Sequence, residues 1–107
     1  ILSSEFGYRA EDSGLPNSTP PQYPVLFDQN ERADAYAAYM DRVLQRPFVV
    51  GAHWFKHCDQ PYTRRNGGGD NNWGFVDIEN RVYPEMYLRM WGVHQSMVQR
   101  RLALATP

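Results

Sequence analysis

One segment sets an ionisable side chain where chemistry is often done. Ser4-Glu5-Phe6-Gly7 follows the apolar pair Ile1-Leu2 and places the Glu5 carboxylate at the C-terminal end of a short strand. A carboxylate there is either a reactive group or a polar residue closing a strand, and residue type alone does not separate the two. Tyr8 and Arg9 follow it and would either orient the carboxylate or meet a ligand. A second cluster begins where the apolar run 48–55 gives way to His57, Cys58, Asp59 and Gln60. Trp54 shares a face with Val50 and Ala52 and would end that strand, either stacking on a ligand or packing in a core. The polar loop sequence after it favours stacking. His53 points the other way, toward whatever covers the sheet. His53, His57, Cys58 and Asp59 are metal-binding types, but a zinc site needs three or four ligands converging with outer support. A hydrogen-bonded buried His53 beside polar loop residues is the better reading, so neither metal nor cofactor is expected. His57, Asp59 and Gln60 are read instead as polar contacts for a ligand. A third cluster, Arg64, Arg65, Asp70, Asn71, Asn72 and Trp73, joins hydrogen-bonding groups to one aromatic platform. That composition suits a polysaccharide cleft and, equally, a solvated loop. His94 falls within an apolar helical stripe and reads as a satisfied core histidine.

The elements that must position these residues alternate. Residues 1–8 read as a strand ending at Gly7. Residues 9–30 hold Gly14, Pro16, Pro20, Pro21 and Pro24 and predict a long irregular loop. A helix is expected over 31–45, capped by Asp28 or Asn30 and stopped by Pro47, with Ala35, Tyr36, Tyr39, Met40, Val43 and Leu44 as its buried face. Residues 48–55 are nearly all apolar, which suits a strand covered on both faces. Residues 56–82 return to loop through the run Asn66-Gly67-Gly68-Gly69-Asp70, with a brief extended piece near 75–78. Pro84 suits the first turn of a helix ending near Leu104, with Tyr87, Met90, Trp91, His94, Met97, Val98 and Leu102 as its stripe. The order β-α-β-α, with parallel strands, places the chain in the α/β class. Both long loops follow strands, while the link Gln45-Arg46-Pro47 is tight. In β/α barrels the loops after the strands carry the chemistry.

On these segments the chain resembles the C-terminal quarter of a retaining, two-glutamate glycoside hydrolase (β/α)8 barrel. Ile1-Leu2-Ser3-Ser4-Glu5-Phe6-Gly7-Tyr8 resembles its seventh strand and Phe48-Val49-Val50-Gly51-Ala52-His53-Trp54-Phe55 its eighth. Asn72-Trp73-Gly74-Phe75-Val76-Asp77-Ile78-Glu79 and Tyr83-Pro84-Glu85 resemble the passage into the final helix. β-Agarases and β-galactosidase-like enzymes are the nearest relatives suggested. The resemblance implies a TIM-barrel fragment over residues 1–107, with Glu5 as catalytic nucleophile. It implies Trp54 as floor of the sugar site, often followed by a cis peptide, and a carbohydrate as ligand. Tyr8, Arg9, His57, Asp59, Gln60 and Trp73 are the further candidates for substrate contact. The acid/base glutamate, expected after Asn at the end of a fourth strand, has no counterpart. Asn30-Glu31 has the letters but opens a helix. Alone the chain should therefore be inactive and should need the missing barrel segments or self-association. The apolar start at Ile1 fits an excised piece of something longer, and such enzymes are commonly secreted or periplasmic.

The bulk numbers agree with this reading. With 107 residues there is room for one small domain. Eleven Lys and Arg stand against twelve Asp and Glu, which offers no electrostatic basis for nucleic acid or an anionic membrane as partner. No apolar run approaches the roughly 20 residues of a membrane span. The single Cys58 forbids an internal disulfide.

Overall fold

The computed structural model of the chain describes residues 1–17, 24–59 and 71–105. The candidates Gln60, Arg64, Arg65 and Asp70 lie outside these residues. Strand β1 (Leu2–Phe6) pairs in parallel with β4 (Gly51–Trp54), as the alternation of elements predicts. Between them runs helix α1 (Gln29–Leu44), and after β4 comes α2 (Pro84–Ala105). Residues 9–30, expected to be irregular, contain a second parallel pair, β2 (Arg9–Ala10) with β3 (Val25–Leu26), and a 3-10 turn at Glu11–Ser13. The strand expected over 48–55 is shorter. Phe48 and Val50 precede it and are 57% and 80% exposed.

Helix α1 starts two residues earlier than its pattern suggests, because Asp28 caps it by accepting from the Glu31 N–H at 2.9 Å. Its buried residues include Arg32, Tyr36, Met40 and Leu44, one every fourth position, with Gln29 and Ala33 beside them. Ala33 rather than Ala35 is the buried alanine. Phe6 stacks on Tyr39 with centroids 3.9 Å apart and planes 7° from parallel. Trp54 meets both Phe6 and Tyr36 edge-on. These rings join Met40, Met86 and Val93 in one core between the strand pair and the helices.

The stripe expected on α2 divides. Met90 and Met97 pack on the core with the buried Met86 and Val93. Tyr87, Trp91, Val98 and Leu102 face away and stay more than half exposed. Among the described residues α1 is the only helix that packs against α2, and none of them covers this second apolar face. His94 is also exposed, but its Nε2 lies 2.7 Å from the Tyr36 hydroxyl.

The register between β1 and β4 corrects the assignment of sides. Ser3 lies opposite Ala52 and Phe6 opposite Trp54, so two residues of β1, Ser4 and Glu5, span the place of one, His53. This is a bulge, and it resets the alternation. Regular alternation along β1 would put Ser3 on the same face as Glu5. Instead its hydroxyl meets the Tyr39 hydroxyl at 2.6 Å, on the helix side. Ala52 and Trp54 also pack toward the helices, and His53 is exposed on the other face. The roles expected of Trp54 and His53 are thus exchanged. The aromatic shelf of Phe6 and Tyr36 and the buried Arg32 lie on the helix side, and an indole gains most there.

Candidate functional site at the strand ends

Glu5 sits on the bulge, near the C-terminal end of β1, and is exposed. Just beyond it the chain is tightly confined. A Cβ on Gly7 would lie 2.5 Å from the Phe55 carbonyl oxygen, so only glycine allows the two segments to approach this closely. The Phe55 N–H donates to the Phe6 carbonyl at 2.7 Å, and the Phe55 ring meets Trp73 edge-on at 5.7 Å. The peptide bond between Phe55 and Lys56 is cis, one bond beyond the position that the resemblance pointed to.

Around both strand ends runs a buried polar collar. Arg32, fully buried in α1, donates from Nε to the Tyr8 carbonyl at 2.7 Å, from Nη2 to the Gly74 carbonyl at 2.5 Å and from Nη1 to Gln29 Oε1 at 2.8 Å. Its guanidinium also faces the Trp54 and Tyr83 rings, 5.3 and 5.5 Å from their centroids. Asp59 accepts on Oδ1 from Asn72 Nδ2 and the Gly74 N–H, and on Oδ2 from the Tyr83 hydroxyl at 2.5 Å. Asn72 Oδ1 accepts from the Ala10 N–H and from Gln29 Nε2. Asn17 donates to the Ala10 carbonyl and accepts from the Asn72 N–H. The collar therefore ties the segment after β1 to the segment after β4 through the first turns of α1.

Burial dominates the electrostatics of this collar. It depresses Arg32 to about 10, although Asp59 and Tyr83 pull the other way. It raises the Asp59 carboxyl above the usual carboxylate range, against the hydrogen bonds from Tyr83, Gly74 and Asn72 and the attraction of Arg32. Tyr83 is pushed far up by burial and by Asp59. Arg32 and Asp59 thus each lose more to dehydration than their attraction across the collar returns.

Most residues expected around Glu5 are accounted for elsewhere. Arg9 is 1% exposed; it donates to Asn71 Oδ1 at 2.8 Å and to the Asn17 carbonyl, and lies over the Trp73 ring. Asp59 and Trp73 are each 4% exposed, inside the collar. Trp54 donates from Nε1 to the Trp73 carbonyl at 2.8 Å. Tyr8 is half-buried, its ring near Trp54 and its hydroxyl, raised by burial, toward Arg42. His57 is exposed, edge-on to Phe75. Among the described residues, no three His, Cys, Asp or Glu side chains converge as a metal site would require. Among them, too, no helix is long and apolar enough to cross a membrane.

Arg32, Gln29, Asn17 and Tyr83 escaped the sequence reading. Arg32 did leave a signal, since it sits four residues before Tyr36 on the helix's buried face, where a cation must find partners. Asn17 gave none, because its role depends on Ala10 and Asn72, the latter 55 residues away.

No protein-family model matches the chain. Among characterised proteins it is similar to β-agarase B of Vibrio sp. strain JT0107, 39% identical over 83 residues, and to β-agarase A of the same strain, 34% identical over 87. These alignments cover 77% and 80% of this chain but 8% of each agarase. The chain thus spans a small part of the relatives it matches. Among solved structures, an exo-β-agarase superposes with a TM-score of 0.84 at 34% identity, over 92% of this chain and 13% of that one. PfGH50B superposes with a TM-score of 0.82 at 36% identity, over 91% and 14%. The structure of BpGH50, at 24% identity and a TM-score of 0.85, shares the fold over 98% of the chain. The chain is a homologue of a short segment of β-agarases, with their local α/β fold.

Proposed function

We propose that residues 1–107 are the last two β/α units of an agarase-like (β/α)8 glycoside hydrolase that cleaves β-glycosidic bonds in a polysaccharide with retention, and that Glu5 is its nucleophile. The observation that carries this reading is the position of Glu5. It is exposed near the C-terminal end of a parallel strand, on a bulge and directly before Phe6, which packs toward the helices. Bulges next to active sites re-aim single side chains in this way. In a closed barrel the face opposite the helices is the interior, and the strand C-termini form its mouth. The Glu5 carboxylate would attack the anomeric carbon and form a glycosyl ester. A second carboxyl group about 5–5.5 Å away would protonate the departing oxygen and then activate the water that releases the sugar. That second group would come from another part of the enzyme, so the chain alone would not turn over substrate.

The aromatic floor of the sugar site is assigned to Phe55 rather than Trp54. Trp54 is enclosed by Phe6, Tyr36 and Phe75. Phe55 follows it and is hydrogen-bonded through its backbone to the residue after Glu5. His57 and Tyr8 keep a place near substrate, whereas Arg9, Asp59 and Trp73 would act by holding the loops.

A second reading is a non-catalytic, self-associating fragment. The exposed Trp91, Val98 and Leu102 on α2 favour it for the isolated chain.

The test uses the full-length enzyme that contains this segment. A slow fluorosugar substrate should leave its label on Glu5, located by mass spectrometry. Glu5→Gln should lower kcat by ~10⁴-fold or more while agaro-oligosaccharide binding persists. A label on another residue, or full activity in Glu5→Gln, would end the reading.

A further inference from the structure

We infer that Arg32, on the helix side of the sheet and out of reach of substrate, is a positioning residue for the Glu5 carboxylate. This rests on the assignment of Glu5 as nucleophile. Two residues, Phe6 and Gly7, separate Glu5 from Tyr8, whose carbonyl accepts from Arg32 Nε at 2.7 Å. Nothing in that stretch has slack. Phe6 is stacked on Tyr39, and Gly7 is wedged against the Phe55 carbonyl. A shift of the Tyr8 carbonyl must therefore pass into the bulge that aims Glu5. The same guanidinium holds the Gly74 carbonyl at 2.5 Å, and the Trp73 carbonyl next to it accepts from Trp54 Nε1 and the Lys56 N–H. Arg32 thus sets the spacing between the segment carrying Glu5 and the segment carrying Phe55.

Only a planar fork can make these bonds in three directions while lying between two aromatic rings. Lysine keeps the charge and loses the fork. A nucleophile displaced by about 1 Å loses roughly 100-fold in rate.

A residue that merely stabilises the fold would behave differently. It would lower the number of folded sites and leave each folded site at full speed. The full-length enzyme is compared as wild type, Arg32→Lys, Tyr83→Phe and Met40→Ala. Met40 is 4% exposed in the same helix, two turns further from the strand ends, and serves as a control for lost stability. Competent sites are counted by the stoichiometry of fluorosugar label on Glu5, and the rate of labelling is measured per site. Arg32→Lys should slow labelling per site by ~10–100-fold, with KM little changed. Tyr83→Phe, which removes the bond that steadies Asp59 under Gly74, should slow it by a smaller factor. Met40→Ala should lower Tm without changing the rate per site. The inference fails if Arg32→Lys labels Glu5 at the wild-type rate per site, or if Met40→Ala slows labelling as much. Should Arg32→Lys not fold, an unchanged rate in Tyr83→Phe defeats it. A wild-type label away from Glu5 is a different result and defeats the nucleophile reading itself.

Discussion

The strand ends and the outer flank of α2 handle burial in opposite ways. At the strand ends, Arg9, Asn17, Gln29, Arg32, Asp59, Asn71 and Asn72 are all at or below 7% exposure. They are bonded to one another and to the backbone around them. On the flank, Tyr87, Leu88, Trp91, Val98 and Leu102 are 54–70% exposed. An apolar recess of about 340 Å³ opens there between His57, Phe75, Val82, Tyr87, Trp91 and His94. The comparison teaches which part of the segment is self-sufficient. Polar groups taken out of water must find partners at once, so the collar closes within the chain. Apolar surface can wait for whatever packs beside it, and here it does.

The largest effect that would break this contrast concerns the isolated chain. With β1 and β4 pairing with no further strand among the described residues and an apolar helix face exposed, it should associate to dimers or larger species. Light scattering coupled to size exclusion reads this directly. Trp91→Glu combined with Leu102→Glu should move the population toward monomer, because both residues lie on the uncovered face. A wild-type chain that unfolds cooperatively as a monomer would show that the flank needs no cover.

A pair of alanine substitutions sharpens the contrast at a smaller scale. Gly7→Ala drives a methyl group into the Phe55 carbonyl, a backbone atom that cannot step aside. It should cost about 1–3 kcal/mol, as overpacking usually does. Gly92, within α2, has open space where its Cβ would lie. Gly92→Ala should therefore gain about 0.5–1 kcal/mol from helix propensity. Urea titrations of both variants check this. Equal effects of the same sign would mean that the strand ends are as loosely packed as the flank.

How much of this was legible in the sequence follows from distance along the chain. Tyr36, Met40 and Leu44 announce α1 by spacing alone, and Pro84 marks the start of α2. The apolar run before Trp54 and the crossover helix were enough for the parallel pair. The sides of the strands were not legible, because a bulge at Ser4 and Glu5 breaks the period on which such readings rest. The collar was less legible still. Arg9 and Asn71 are 62 residues apart, and Asp59, Asn72 and Trp73 are residue types that look alike in a solvated loop and in a buried network. Only Arg32 carried a local sign, through its place on the apolar face of its own helix. Glu5 is a candidate through the resemblance of Ser4-Glu5-Phe6-Gly7, and its exposure on the bulge is what the structure adds.

The smallest expected effect probes the balance inside the collar. Burial raises the Asp59 carboxyl more than Tyr83, Gly74, Asn72 and Arg32 together lower it. The folded chain therefore holds the Asp59 proton more tightly than the unfolded chain, whose aspartates titrate near about 4. Stability from that proton is fully present below the unfolded value and is lost as pH rises through the folded one. An asparagine at position 59 cannot titrate. The stability of the wild type minus that of Asp59→Asn should therefore fall as pH is raised from about 4 and then level off. Arg32 does not confuse the measurement. Its depressed value of about 10 makes stability rise with pH only in the alkaline range, far from the acid window. Urea midpoints of both proteins at a series of acid pH values give the slope. A difference that grows with pH would mean that the hydrogen bonds and Arg32 outweigh dehydration at Asp59. The collar would then draw net stability from its ionised form and would not merely tolerate a buried carboxylate.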